Sequence, residues 1–369
     1  MDNEARATGL DPARNITLTT PRGRGSPSIS RPGTPGQRDA GTRATVYGAL
    51  DLGTNNCRLL VARATQDGFR VVDAFSRIIR LGEGVASSGV ISARAIERAV
   101  DALKICRDKM HNRGVGRSRL IATEACRAAS NGMEFIARIR DEVGIELEIV
   151  DRETEARLAA TGCTPLIDGR AENVILFDIG GGSSELVVLG RGESDCPGPP
   201  QPAIRGWVSL PLGVVTLAER YGGHAVTRED FEAMIEEVSW HVRSFAEEHG
   251  ERDPRAMHLL GTSGTVTTIA GVHLLLPRYD RRRVDGCWMD QHQVTAVIER
   301  ILDMSYEERA ANACIGSERA DLVLAGCAIL EAIRRAFPCP RLRVADRGLR
   351  EGMLVQMMRD DGVWAGAAS

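Results

Sequence analysis

The chain has 369 residues, of which 43% are hydrophobic and 26% are charged, and its formal net charge at pH 7 is −3. This composition is typical of a globular protein long enough for two domains. The small net charge gives no reason to expect nucleic acid or an anionic membrane as a partner. No apolar run approaches the roughly 20 residues of a membrane helix, and the nine scattered cysteines lack a CxxC pair. We therefore expect a soluble, cytoplasmic protein with reduced thiols.

Residues 1–45 are rich in Pro, Gly, Ser, Thr and Arg and contain almost no large apolar residues. Such a segment cannot bury enough apolar surface to offset the entropy of ordering it. Its acidic residues and many prolines argue against a targeting peptide. We predict a disordered N-terminal tail.

Strands and helices alternate from residue 46 onwards. The pattern predicts a hairpin in VYGALDLGTNNCRLLVARA, one or two further strands in FRVVDAFSRIIRL, and an amphipathic helix in SARAIERAVDALKICRDKM that Ser92 can cap. A strand in SRLIATEA, a helix in GMEFIARIRDEVG, a strand in LEIVD and a helix in RETEARLAATG follow.

The second half of the chain restarts with the same order of elements. VILFDIGGGSSELVVLG is a predicted hairpin, and TREDFEAMIEEVSWHVRSFAEEHG is a helix with a capping box at Thr227 and Asp230. MHLLGTSGTVTTIAG reads as strand, turn and helix, and LRVADRGLREGMLVQMM as strand, turn and final helix. The repetition predicts two similar α/β lobes around a cleft, at 46–170 and 171–369. The final helix is expected to be able to pack back on the first lobe.

Two glycine turns occupy matching positions in the two predicted lobes. In both ALDLGTNNCRLLVA and LFDIGGGSSELVV, a strand ends in an aspartate (Asp51 or Asp178) and a turn of glycine and small polar residues leads into the next strand. Convergent backbone N–H groups and hydroxyls can hold an anion without any net charge. A lone turn of this kind is most often only a hairpin tip. Two matching turns predict a paired phosphate site, with the aspartates holding Mg²⁺.

A third glycine turn, LLGTSGTVTTIAG, leads into a helix whose N-terminus favours anions. Its glycine spacing differs from that of a serine hydrolase and from that of a P-loop. It is therefore expected to add donors to the same phosphate site.

Eight motifs in the same order carry a resemblance to a known family: ALDLGTNNCRLLVA, RLGEGV, IATEACRAASNG, EIVDRETEAR, LFDIGGGSSELVV, LPLG, LLGTSGTVTTIAGV and ERADLVLAG. From about residue 46 to its end, the chain resembles the exopolyphosphatase and guanosine pentaphosphate phosphatase family, in its short two-domain form. The resemblance implies an α/β fold of two duplicated ribonuclease-H-like lobes, belonging to the actin-like ATPase superfamily, around a phosphate-binding cleft.

The resemblance also implies an activity. The expected reaction is Mg²⁺-dependent, processive hydrolysis of the terminal phosphate of inorganic polyphosphate, with removal of the 5′-γ-phosphate of guanosine pentaphosphate as a second activity. The family implies a homodimer, and we expect neither nucleic acid nor a membrane as partner.

Matched positions suggest the catalytic residues. Glu124 is the expected general base, Glu153 is expected to contact metal or water with Glu155 as a helper, and Arg58 is expected to offset charge on the transferred phosphate. For each glutamate a solvated carboxylate is the alternative, for each arginine a surface ion pair, and the choice of base among the three glutamates stays open. The expected substrate-binding residues are Gly53, Thr54, Asn55, Asn56, Cys57, Arg127, Gly180, Gly181, Gly182, Ser183, Ser184, Gly261, Thr262, Ser263 and Arg319. The expected metal ligands are Asp51, Asp178 and Glu153. The Cys57 side chain itself is expected to face the core.

Two other classes of function remain open on this fold. One is a phosphotransferase that resembles sugar or acetate kinases, and the other is a nucleotide-switched scaffold of the actin kind. The ATE and ETEAR motifs fit a phosphatase better than a kinase, and a scaffold has no evident use for a catalytic glutamate and additional arginines in the cleft.

Overall fold

A computed structural model describes residues 45–190, 198–250 and 256–365. The predicted disordered tail falls on residues 1–45, and all but the last of these lie outside the described residues. None of the described helices is long and apolar enough to cross a membrane.

The described residues of the first half of the chain form five strands and five α-helices, followed by a short 3-10 helix at Thr164–Leu166. Their bounds are β1 Val46–Leu52, β2 Asn56–Thr65, β3 Gly68–Ile78, α1 Val85–Ser88, α2 Ala93–Asn112, β4 Arg117–Ala122, α3 Glu124–Ala128, α4 Gly132–Val143, β5 Glu148–Ile149 and α5 Arg152–Cys163.

The second half contains the remaining elements. Their bounds are β6 Asn173–Ile179, β7 Ser184–Gly190, β8 Ala203–Leu210, α6 Val214–Tyr221, α7 Arg228–His249, β9 Met257–Thr262, α8 Ser263–His273, α9 Arg281–Val284, β10 Trp288–Asp290, α10 Gln291–Leu302, α11 Tyr306–Ala311, α12 Val323–Ala336, β11 Arg341–Val344 and α13 Leu349–Asp360.

The two halves build two sheets on one plan. The first sheet has the order β3-β2-β1-β4-β5, and the second has the order β10-β11-β9-β6-β7-β8. In each sheet the first three strands are antiparallel, and the next strand along the chain pairs parallel to the first. This repetition confirms the predicted pair of duplicated α/β lobes. The boundary at residues 170/171 stays a prediction; the strands of the two sheets lie on either side of it.

The last α-helix of each half packs against the sheet of the other half. Helix α13 buries Met353, Leu354 and Met358 with residues of β1 and β2. Helix α5 buries Ala159 and Ala160 with residues of β6 and β7. The expectation that the final helix packs back on the first lobe agrees with this arrangement, and the two sheets are joined by the two helices between them.

Helices α5 and α13 touch through their backbones. A Cβ atom added to Gly162 would lie 1.9 Å from the carbonyl oxygen of Gly348, and one added to Gly352 would lie 1.9 Å from that of Leu158. Only glycine leaves room for such an approach. The contact fixes the position of the α13 N-terminus relative to α5, and both of these helices contribute residues to the cleft between the lobes.

Candidate active site

The two predicted phosphate loops are hairpin turns of the same geometry. The Gly53 amide donates to the Asn56 carbonyl oxygen at 2.9 Å, and the Gly180 amide donates to the Ser183 carbonyl oxygen at 2.9 Å. The duplicated sheets therefore end in duplicated turns.

The cross-strand partners below these turns carry charge in both hairpins. Asp51 on β1 lies opposite Arg58 on β2, and Asp178 on β6 lies opposite Glu185 on β7. Arg58 and Glu185 therefore hold equivalent positions in the two lobes, with a cation in one lobe and a carboxylate in the other.

The two turns meet directly across the lobes. A Cβ atom on Gly181 would lie 2.9 Å from Thr54 Cβ and 3.2 Å from the Asn55 amide nitrogen, and one on Gly182 would lie 3.1 Å from Glu124 Cγ. The second loop can pack this closely because glycine carries no side chain. The structure thus places both loops at one point, as the sequence predicts.

The third glycine turn joins the same site beside the second loop. Thr262 on β9 pairs in register with Asp178. Ser263 begins α8 with a positive φ of 90°, and its buried Oγ has no hydrogen-bond partner among the described residues. A Cβ atom on Gly264 would lie 3.5 Å from Arg319 Cζ. A strained residue and an unpaired buried hydroxyl at a helix N-terminus are features found where a ligand supplies the missing partner.

Four carboxyl groups lie buried below the loops. Burial raises the pKa of Asp51, an effect that Arg58 partly offsets, and it raises the pKa of Asp178 to about 6. Burial, followed by the charge of Asp178, raises the pKa of Glu185 to about 7. Burial and the charge of Glu185 raise the pKa of Glu155 well above its usual range. When they are ionised, these four carboxyl groups place several negative charges close together in a part of the cleft that holds little water.

Arg127 holds two glutamates of the first lobe. Its Nε and Nη2 donate to Glu124 Oε2 at 3.0 and 2.6 Å, and its Nη2 also donates to Glu155 Oε2 at 3.1 Å. Arg152 adds a bond of 2.8 Å from its Nη2 to Glu124 Oε1. Two guanidinium groups therefore donate to Glu124, and Arg127, an expected substrate-binding residue, also donates from its Nη1 to the Val150 carbonyl oxygen at 2.5 Å.

The side chains of Glu153 and Glu155 lie on different faces of α5, because residues two apart in a helix do not share a face. Glu153 is exposed and its Oε1 accepts from Arg157 Nη2 at 2.7 Å, whereas the Glu155 side chain is only 14% exposed. The structure places Glu155 in the cleft and Glu153 outside it. The sequence analysis expected the opposite, with Glu153 as the residue that contacts metal or water.

Three arginines face the site without a carboxylate partner within the described residues. They are Arg58, Arg319 and Arg350, which is the second residue of α13. Burial lowers the pKa of Arg319, and repulsion by the nearby charge of Arg58 lowers it further. Arg350 is likewise buried among Glu351, Arg58 and Asp51, and burial lowers its pKa. Buried like charges of this kind are suited to a polyanionic ligand.

Three of the expected substrate-binding residues make contacts within the fold, and for Cys57 the buried side chain is the expected one. Ser184 Oγ donates to the Leu212 carbonyl oxygen at 2.8 Å, and Cys57 is buried with its Sγ 3.9 Å from Cys106 Sγ. Gly261 lies within β9, where its carbonyl oxygen accepts from the Ala345 amide. These three residues contribute to the site by fixing the local backbone conformation.

Sequence reasoning missed Glu185 and Arg350. Glu185 is held by Ser183 Oγ at 2.8 Å and Ser209 Oγ at 2.9 Å. Its signal was the hairpin register, which sets it opposite Asp178 as Arg58 is set opposite Asp51. Arg350 carried no comparable signal, because its place depends on where α13 packs.

The residues present fit a magnesium ion. The described residues contain no group of three or more His, Cys, Asp or Glu placed to enclose a metal. Mg²⁺ is usually held by one or two carboxylates together with water and substrate phosphates, and needs no such cage. The buried carboxyls of Asp51 and Asp178 beside the phosphate loops provide that donor set.

Comparison with known proteins relates the whole structure to one family. The sequence model described as the Ppx/GppA phosphatase family matches residues 60–361. The guanosine-5′-triphosphate,3′-diphosphate pyrophosphatase of Photobacterium profundum is 27% identical over 314 residues, which cover 85% of this chain and 59% of that relative. This chain thus spans about three fifths of that relative's length.

Solved structures show the same fold. The Ppx/GppA family member of Aquifex aeolicus is 27% identical, with a TM-score of 0.70 over 86% of this chain and 98% of the other. An exopolyphosphatase from Cytophaga hutchinsonii, 24% identical, matches with a TM-score of 0.77 over 86% of this chain and 98% of its own. The fold is therefore that of two-lobed proteins of similar length.

Proposed function

Because this chain belongs to the Ppx/GppA phosphatase family, we propose that it hydrolyses the terminal phosphoanhydride bond of inorganic polyphosphate. One observation carries the proposal: three partly buried arginines, Arg58, Arg319 and Arg350, face the point where the two phosphate loops meet, and none of them forms an ion pair within 4 Å among the described residues. Such an arrangement suits a ligand made of consecutive phosphates, because each phosphate brings negative charge and acceptor oxygens.

Phosphoryl transfer to water needs positioning, charge neutralisation and an oriented nucleophile. The backbone N–H groups of the two loops and the Ser263 hydroxyl would hold the terminal phosphate. Arg58 and Arg319 would offset the charge that develops on its oxygens. Asp51 and Asp178 would hold Mg²⁺, whose charge would help to neutralise the phosphate groups of the substrate.

Glu155 is the proposed general base, in place of the expected Glu124. Burial and the charge of Glu185 raise the pKa of Glu155, which strengthens its affinity for the proton that a general base must accept. Its bond to Arg127 fixes its orientation. The charge of Glu185 contributes to the raised pKa of Glu155, so the ionisation of one carboxyl affects the proton affinity of the other.

Guanosine pentaphosphate is a second proposed substrate, since it presents a terminal phosphoanhydride to the same groups, and the Photobacterium relative is named for this class of compound. A homodimer and processive cleavage stay predictions from the resemblance, and a cytoplasmic location stays a prediction from the composition and the cysteines.

Phosphate release tests the proposal. The pure protein is given polyphosphate of defined length with Mg²⁺ and no nucleotide, and in parallel guanosine pentaphosphate. We expect orthophosphate from polyphosphate, and none after addition of EDTA. ATP-dependent phosphorylation of a sugar or acetate, with no release from polyphosphate, would assign the phosphotransferase function instead.

A further inference from the structure

A short loop after β3 carries an arginine that reaches the other lobe. Arg80 Nη1 lies 2.8 Å from Asp321 Oδ2, and Arg80 Nη2 lies 2.9 Å from Asp321 Oδ1. The same Nη2 also donates to the Glu318 carbonyl oxygen at 3.1 Å. The two side chains are only 31% and 19% exposed, so this paired, two-bond contact is partly shielded from water.

The backbone of Arg80 is held in an unusual conformation. Its φ is +46°, a region that a side chain other than Gly, Asn or Asp rarely adopts. Arg98 from α2 holds this backbone, donating from Nε to the Ile79 carbonyl oxygen at 2.7 Å and from Nη2 to the Arg80 carbonyl oxygen at 3.0 Å. The loop is therefore fixed from its own lobe in the conformation that directs Arg80 to the other.

The same loop supports the first phosphate loop. The amides of Ile79 and Arg80 donate to the Asn55 carbonyl oxygen at 2.8 and 3.1 Å, and the Gly82 amide donates to the Thr54 carbonyl oxygen at 2.9 Å. A Cβ atom on Gly82 would lie 2.2 Å from Thr54 Cγ2. Any shift of the Arg80 loop would therefore move the first phosphate loop with it.

At the other end of the ion pair, Asp321 is tied to a phosphate-facing arginine. Asp321 follows Arg319 by two residues, and the amides of Leu322 and Val323 both donate to the Arg319 carbonyl oxygen at 2.9 Å. A further contact between the lobes runs beside the pair, from the Gly84 amide to Glu219 Oε1 at 2.8 Å.

We propose that Arg80 and Asp321 are positioning residues, and that their ion pair sets the spacing between the first phosphate loop and Arg319. This role rests on the proposed function, since it concerns where the substrate phosphates sit. Neither side chain needs to touch substrate. The pair joins the two halves of the site, and a displacement near 1 Å in such a site can cost about 100-fold in rate.

Kinetics on polyphosphate test the role. We expect kcat/KM to fall about 10- to 100-fold in Arg80→Ala and in Asp321→Asn, and the double variant to be no worse than the poorer single variant. The charge reversal, Arg80→Asp with Asp321→Arg, should recover most of the loss. Arg138→Ala is the matched control, because Arg138 pairs with Glu142 and Glu97 within the first lobe, and it should keep full activity. Losses that simply multiply in the double variant, or singles with normal kcat/KM, would refute the pairing.

Amide hydrogen exchange gives a readout that needs no activity. In Asp321→Asn, a change in the second lobe, we expect faster exchange at the amides of Ile79, Arg80 and Gly82 in the first lobe. Amides of β6 and β7 serve as the control for intact folding. Unchanged exchange at those three amides would overturn the positioning role, even if the protein proves inactive on polyphosphate. Faster exchange together with an inactive wild type would instead leave the positioning role standing and remove the proposed substrate.

Discussion

At the scale of single residues, Glu124 and Glu155 differ in what surrounds their carboxylates. Glu124 accepts four bonds from Arg127 and Arg152, whereas Glu155 accepts one, from Arg127, and lies near Glu185. Burial and the neighbouring charge of Glu185 raise the pKa of Glu155, so its carboxylate holds a proton more tightly than an exposed glutamate does. These surroundings favour Glu155 as the proposed general base, with Glu124 proposed to position the two arginines.

Glu155→Gln should lower kcat about 10²- to 10⁴-fold, the usual worth of a general base, and leave polyphosphate binding nearly intact because the loops and arginines are unchanged. The measurement is steady-state phosphate release together with binding by calorimetry. Glu153→Gln is the matched control two residues away, and its activity should stay near that of the wild type. A greater loss in Glu124→Gln than in Glu155→Gln would return the role of base to Glu124.

The resemblance favoured Glu153 over Glu155 for contact with metal or water, but the sequence could not show which of the two enters the cleft, and the reason is geometric. The spacing shows that only one of them can enter the cleft, but which one depends on the face that α5 turns to the second sheet. That face is set by contacts with residues more than ten positions away in the chain, such as Val187 and Leu260. The loops were predictable because glycine, aspartate and hydroxyl residues act locally.

At the scale of elements, local signals predicted the helix ends well. Ser92 caps α2, and Thr227 and Asp230 form the capping box of α7, as their spacing indicates. The sequence only partly indicated that α5 and α13 pack against the sheet of the opposite lobe. Both helices have weak apolar stripes, and their packing partners lie far away in the chain. The crossing at Gly162 and Gly352 had no sequence signal at all, since neither glycine sits in a turn.

The crossing gives a test at this scale. Gly352→Ala would press a methyl group against the Leu158 carbonyl oxygen, 1.9 Å from its position, so the helices must separate. We expect a loss of at least about 1–3 kcal/mol in the free energy of unfolding, the usual cost of overpacking. Gly169→Ala is the control, since nothing lies within 4 Å of its added Cβ.

Urea unfolding followed by circular dichroism measures both glycine variants. The control should match the wild type within about 0.5 kcal/mol. Equal stability of Gly352→Ala and Gly169→Ala would show that α5 and α13 do not cross in backbone contact.

At the scale of the whole molecule, the lobes and their shared core hold together a cluster of charges that opposes folding at neutral pH. The Asp178 carboxyl has a pKa raised to about 6 and the Glu185 carboxyl one raised to about 7, both first by burial. An unfolded chain would ionise both near pH 4. The folded protein binds these protons more tightly, so their stabilising contribution is full below about pH 4 and is lost as the pH rises through 6 to 7.

Glu185→Gln removes one of these ionisations and should change the pH dependence of stability. Without metal, in EDTA, the free energy of unfolding of the variant should rise relative to that of the wild type between pH 5 and pH 8, because only the wild type must ionise the buried carboxyl of Glu185. Urea unfolding at each pH measures the difference, and Glu247→Gln, at an exposed position on α7, should show none. Added Mg²⁺ should narrow the gap at pH 8, since a bound cation favours ionised carboxylates nearby. A difference that stays constant from pH 5 to pH 8 would mean that Glu185 ionises in the folded protein as it does in water, and that the lobes leave the cluster open to solvent.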